Sequence, residues 1–217
     1  MTYRSWASAH HFTDRPVGQL VWIGTLGKET SVATDVGNKR LAAAQQTRAN
    51  LIETGLVLSE ELGLEGLSVN AVVAAAGVSK GSFFHHFPDR ASYLVAMHRR
   101  FHDKLFDEVM AVVGEMPPGR VRLAAAARTY LDGCLRDRGV KALLLEARGH
   151  LPIADEVVRR NRMNVDVVAA DFQALGYAHP RSAARLWIAA TAECALMELE
   201  TGRADESARS SLAEFTH

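Results

Sequence analysis

The chain has little cysteine, no excess of either charge and no long apolar run. Cys134 and Cys194 are its only two cysteines among 217 residues. They lie far apart without metal-ligand spacing, which excludes a disulfide framework and points to a reduced, cytoplasmic protein. Lys plus Arg and Asp plus Glu both number 25, so the net charge is zero. Global charge therefore gives no argument for nucleic acid, and any such argument must rest on local residues. No segment approaches the ~18 consecutive apolar residues that a membrane span needs, and Val17–Gly24 is too short to serve. The N-terminus lacks the charged start and small-residue cleavage pattern of a signal peptide. There is no nucleophile–base arrangement, phosphate loop, paired-carboxylate signature or dinucleotide fingerprint, so we expect no enzyme and no cofactor.

What is present is enough apolar sequence for a core: 48% hydrophobic against 23% charged. Residues 1–38 are rich in Ser, Thr and Gly without helical period, and read as a weakly structured extension. Trp6 and Trp22 are its large anchors. Helical periodicity begins near Leu41, and no alternating strand pattern follows. A first helix is predicted over 41–62, stopped by Gly63. Further helices are predicted over 69–76, 79–86, 90–113, 120–136, 140–147, 154–175 and 180–200, with a frayed tail to His217. Gly and Pro sit at the joints for backbone reasons.

The informative stretch is Gly63–Arg90, GLEGLSVNAVVAAAGVSKGSFFHHFPDR. Ser68 can cap one short helix, Gly77 can supply a positive-φ turn, and Ser79 can cap a second short helix. Asp89 can cap the long helix that follows. Two short helices joined this way on a preceding long one make a helix-turn-helix. Val72, Val73, Ala76 and Val78 form its apolar side. The other side of the second helix shows Ser79, Lys80, Gly81, Ser82, His85 and His86, small polar and imidazole groups suited to a DNA groove. Gly81 lets backbone approach the duplex. Lys80 and His85 can reach base edges or phosphates, Ser82 a phosphate oxygen, and Arg90 a phosphate beyond the helix.

This pattern resembles the N-terminal domain of the tetracycline-repressor (TetR) family of bacterial transcriptional regulators. The resemblance covers about Thr47–Met97 and is most specific at Gly63, Gly66, Ser68, Ala75–Ser79, Gly81–Ser82 and the aromatic run Phe83–Phe87. It implies an all-α fold with a helix-turn-helix DNA-binding domain over 39–90 and a helical effector-binding and dimerisation domain over 91–217. It also implies a homodimer on a palindromic double-stranded operator, released by a small-molecule effector. Carried over by position, Ser68, Ser82, Phe84, His86 and Arg90 fall at phosphate contacts. Asn70, Lys80, Gly81 and His85 face bases. The chain departs from the family pattern at three positions. Phe84 stands where a tyrosine hydroxyl is usual, Ser59 where a large aromatic is common, and Ala74 where a charge is frequent. Lys39 and Arg40, just before the first helix, could offset the weaker anchoring. A helical small-molecule or partner-binding module with a vestigial DNA head is the alternative reading.

Beyond the head the residues speak less clearly. His98 and His102 share one helix face at i, i+4 spacing, but no carboxylate or Cys pattern accompanies them, so a polar face outweighs a metal site and no metal is expected. Tyr130, Cys134, Glu146, Arg148 and Phe172 are candidates for an effector site. Val165, Val168 and Phe172 with Ala184, Ile188, Ala192 and Ala195 form apolar stripes on the last two long helices. These either pack within one subunit or pair with a second copy, and the resemblance favours the dimer.

Overall fold

The computed structural model describes residues 29–147 and 151–216, and among them every regular element is helical. The helices are α1 (Glu29–Gly66), α2 (Val69–Ala76), α3 (Lys80–His86), α4 (Arg90–Val113), α5 (Arg120–Arg136), α6 (Arg138–Glu146), α7 (Leu151–Ala174), α8 (Pro180–Thr201) and α9 (Glu206–Glu214). The part of α1 up to Leu41 belongs to one unit, and Ala42–His217 forms a second, compact one. Helix α4 runs uninterrupted from the helix-turn-helix into the body.

The caps written in the sequence are made. Ser68 Oγ accepts from Ala71 N–H at 3.2 Å, Ser79 Oγ from Ser82 N–H at 3.1 Å, and Asp89 Oδ1 from Ser92 N–H at 2.7 Å. Gly77 takes φ 68, and the Val78 N–H reaches the Val73 carbonyl at 3.1 Å, closing α2 in a left-handed turn. Gly63 breaks α1 at φ 61, ψ −172.

The structure differs from the sequence expectation in three elements. Helix α1 starts at Glu29, before Leu41, so the 1–38 segment is partly helical; its first 28 residues, Trp6 and Trp22 included, lie outside the described residues. Lys39 and Arg40 are exposed within α1 rather than ahead of it. The tail is not frayed throughout: Asp205 caps α9 by accepting from Ser207 and Ala208 N–H at 3.0 Å each. Arg209 then clamps α9 to α8, donating to fully buried Glu198 at 2.6 and 2.9 Å and to Asp132 at 2.7 Å.

One core runs through the compact unit. In the head, Leu51, Ile52, Leu67, Val72, Phe83, Phe87, Tyr93 and Met97 are buried together. In the body α4 packs on α5 and α7, and α7 on α8. Of the seven residues read as a dimer seam, four are buried and three are half-buried in the single subunit. Ala184, Ala195, Phe172 and Val165 are buried within the subunit, while Val168, Ile188 and Ala192 line its cavity. Periodicity identified an apolar face correctly but could not say which helix covers it, and α7 and α8 cover each other.

Candidate nucleic-acid interface and effector cavity

The exposed face of the head is built from α2 and α3. Val72, Val73 and Phe83 point into the core, which turns Ser68, Asn70, Ser79, Lys80, Gly81, Phe84 and His85 to solvent, with Ser82 and His86 half-buried beside them. A Cβ built on Gly81 meets only Ser79 Oγ, at 3.7 Å. Folding therefore leaves room for a side chain there, and the open space suits close approach by another molecule. The Phe84 ring is half exposed and lies edge-on to Phe83, centroids 5.4 Å apart, so stacking is what it can offer. Partial burial, then the neighbouring His85 and Arg48, hold the His86 imidazole below its ordinary pKa, so it presents a neutral ring rather than a charge.

Arg90 is half-buried and bonded within the head. Its Nε–H donates to the Leu67 carbonyl at 3.2 Å and its Nη2 to the Leu64 carbonyl. It ties the end of α1 to the start of α4. Ser59 is buried with its hydroxyl on the Leu56 carbonyl at 2.7 Å, so the small side chain leaves no unmet polar group. Two supports escaped the sequence reading. Asn50 Nδ2 donates to the Ala76 carbonyl at 3.3 Å, and the Arg48 guanidinium sits 4.9 Å from the Phe87 ring centroid. Neither has a local signal, because both partners are distant in sequence.

Further along α4 the body holds a half-open cavity of about 380 Å³, within the range of small-molecule sites. Leu105, Val109, Leu123, Val168, Trp187 and Ile188 are among its apolar walls. His98, His102, Arg122, Tyr130, Arg160, Asn161, Asn164, Asp171 and Thr191 are among its polar ones. Of the residues proposed for an effector, Tyr130 lines it, its hydroxyl accepting from Lys141 Nζ at 3.0 Å. Cys134 and Phe172 are buried in the core beside it, and burial pushes the Cys134 thiol up and keeps it protonated. Arg148 and the Glu146 side chain lie outside the described residues. The histidine pair, noticed for its spacing, belongs to this cavity, ring centroids 4.4 Å apart. Among the described residues no group of three or more potential ligands could hold a metal. No described helix is long and apolar enough to cross a membrane.

A capped three-helix head whose polar helix faces outward, carried on an all-helical body around a cavity, defines the class: helix-turn-helix regulators. Residues 51–97 match the family model described as bacterial regulatory proteins, tetR family. That match covers the helix-turn-helix segment and the start of α4, less than a quarter of the chain. The chain is 25% identical over 119 residues to the HTH-type transcriptional repressor KstR2 of Rhodococcus jostii (strain RHA1), covering 55% of this chain and 58% of that one. It is 29% identical over 131 residues to the HTH-type transcriptional regulator CymR of Pseudomonas putida, covering 57% and 63%. The chain thus spans about six-tenths of the length of these curated relatives. Its fold is similar to the crystal structure of a transcriptional regulator from Rhodococcus sp. Rha1, with TM-score 0.66, 24% identity, and 78% and 93% of the two chains covered.

Proposed function

We propose that this chain is a homodimeric, cytoplasmic, ligand-responsive repressor that leaves a palindromic operator when a small molecule enters the body. One observation carries this reading: a single helix serves both sites. The Asp89 cap starts α4 three residues after α3 ends, and the same helix lines the cavity from His98 to Val113. A ligand that rotates or tilts α4 would move α3 with it, because only residues 87–89 separate the two helices. In a dimer that motion changes the spacing of the two heads, and the ligand acts to the extent that it binds the two spacings with different affinity. On the DNA side, Asn70, Lys80, Gly81 and His85 supply base-facing groups, while Ser68, Ser82, Phe84 and His86 line the backbone. With the inner stripe buried, a second copy would use the outer faces of α7 and α8. There Leu186 and Met197 of α8 and Val158 and Met163 of α7 are exposed apolar side chains.

The test is a gel-shift titration against DNA upstream of the chain's own gene, alone and with candidate ligands, alongside the oligomeric state by light scattering. A salt-sensitive, sequence-selective complex of a dimer is the expected result. A second reading, a helical binding module with a vestigial head, rests on the missing hydroxyl at Phe84. Failure to form any selective complex, with ligand binding intact, would favour it.

A further inference from the structure

The polar groups of the cavity are not equally satisfied. Arg122 and Asp171 cancel: Nε to Oδ1 and Nη2 to Oδ2 are both 2.8 Å, and the Gly119 N–H adds a bond to Oδ1 at 2.9 Å. Glu193 is exposed. Arg160 is different. It lines the cavity and is nine-tenths buried. Its Nη2 donates to Asp103 Oδ1 and, at 3.5 Å, to the Arg99 carbonyl. Its Nε–H has no acceptor in the protein. Asp103, its partner, is 60% exposed, so solvent screens that charge far more than the buried guanidinium. A buried guanidinium N–H without an acceptor costs free energy, and an acceptor brought by a ligand would remove that cost.

We propose that the cavity binds a small apolar carboxylic acid, its carboxylate paired with the Arg160 guanidinium and its hydrocarbon body lying against Leu105, Val109, Leu123 and Trp187. The donor is charged, and charge-assisted bonds are about twice as strong as neutral ones, so a carboxylate gains more here than an alcohol. An ammonium ligand would meet a buried cation on Arg160 and find the nearby carboxylate of Asp171 already held by Arg122. His98 and His102, one turn apart on α4, add polar wall where α4 meets α7. The inference deepens the ligand-responsive reading and rests on it for regulatory meaning, though not for binding itself.

The experiment is calorimetric titration of the full DNA-free chain with matched acids and amines: benzoate and benzylamine, phenylacetate and phenethylamine, naphthoate and naphthylmethylamine, octanoate and octylamine. At least one acid is expected to bind at least about tenfold more tightly than its amine, the scale of one hydrogen bond to a charged group. Arg160→Gln should erase that preference, and Ala126→Phe, which fills the cavity, should abolish binding. An amine binding as well as its acid, no acid binding below about 1 mM, or a preference that survives in Arg160→Gln would overturn the proposal. If Arg160→Gln fails to fold, the acid–amine comparison on the unaltered chain and Ala126→Phe still decide. Release of operator is read separately. An acid that binds without releasing DNA would sink the repressor mechanism and leave this inference standing. DNA release by a neutral or cationic molecule alone would do the reverse.

Discussion

Gly55 lacks a side chain because Tyr93 occupies the space where one would be. A Cβ there would stand 1.9 Å from the Tyr93 hydroxyl oxygen and 2.9 Å from its ring. The tyrosine is buried, and its hydroxyl donates to the Leu51 carbonyl at 2.7 Å, pinning α4 against α1. Burial raises the Tyr93 pKa, so the hydroxyl stays protonated and remains a donor. Alanine is ordinarily favoured over glycine in a helix by about 1 kcal/mol. Here overpacking of about 1–3 kcal/mol and the displaced hydrogen bond should win. Gly55→Ala is expected to lower the denaturation midpoint, and Tyr93→Phe in the same chain should recover part of the loss. Additive effects in that double-mutant cycle would show that the two residues do not meet. The sequence could not reveal the partner of Gly55, since the contact joins two helices separated by the whole recognition motif.

At the scale of elements, packing of α7 on α4 is set by buried charge as much as by apolar contact. Glu156 on α7 is buried and accepts from Arg99 on α4 at 2.9 Å and from Arg159 on its own helix. Burial would raise its pKa, but the two guanidinium groups outweigh burial and hold the carboxyl down to about 2, against an ordinary 4.5. A depressed folded-state pKa means that this contribution to stability is complete above pH 4.5 and is lost as the pH falls toward 2. Thermal melts across that window should show acid destabilisation, and Glu156→Gln should be less stable at neutral pH but flatter between those limits. An unchanged acid slope in the variant would remove Glu156 as its cause. The same logic explains α9, where Arg209 satisfies a carboxylate on α8 that would otherwise be buried alone. Neither pairing was legible, because charge identity is local and partnership is not. The caps were legible, because Ser68, Ser79 and Asp89 act on backbone three residues away.

For the whole molecule, zero net charge means that the protein's overall field gives DNA no steering, and attraction must come from the head. Each Lys or Arg that neutralises a phosphate releases counterions, so binding should weaken steeply with salt. Lys80 is exposed on α3, at a position proposed to face bases. If it reads bases, Lys80→Ala should flatten selectivity between operator and unrelated DNA while changing the salt slope little. If it only neutralises phosphate, the slope of log affinity against log salt should fall by about one per copy while selectivity survives. Salt titration on both DNAs distinguishes the two, and no change in either would remove Lys80 from the interface.

By itself the sequence determined the all-helical class, the capped head and which residues of α3 look outward. Those features follow from interactions within a few residues: hydroxyls on nearby N–H groups, glycines in left-handed turns, apolar side chains at helical period. Tertiary structure alone decided the rest. It buried Ala184 and Ala195 of α8 within the subunit and set Arg90 on the carbonyls of Leu64 and Leu67. It also gathered His98, Arg122, Arg160 and Trp187 from four helices around one cavity. Such arrangements depend on which faces meet across long loops of chain, and the spacing of residues along the chain carries no record of that.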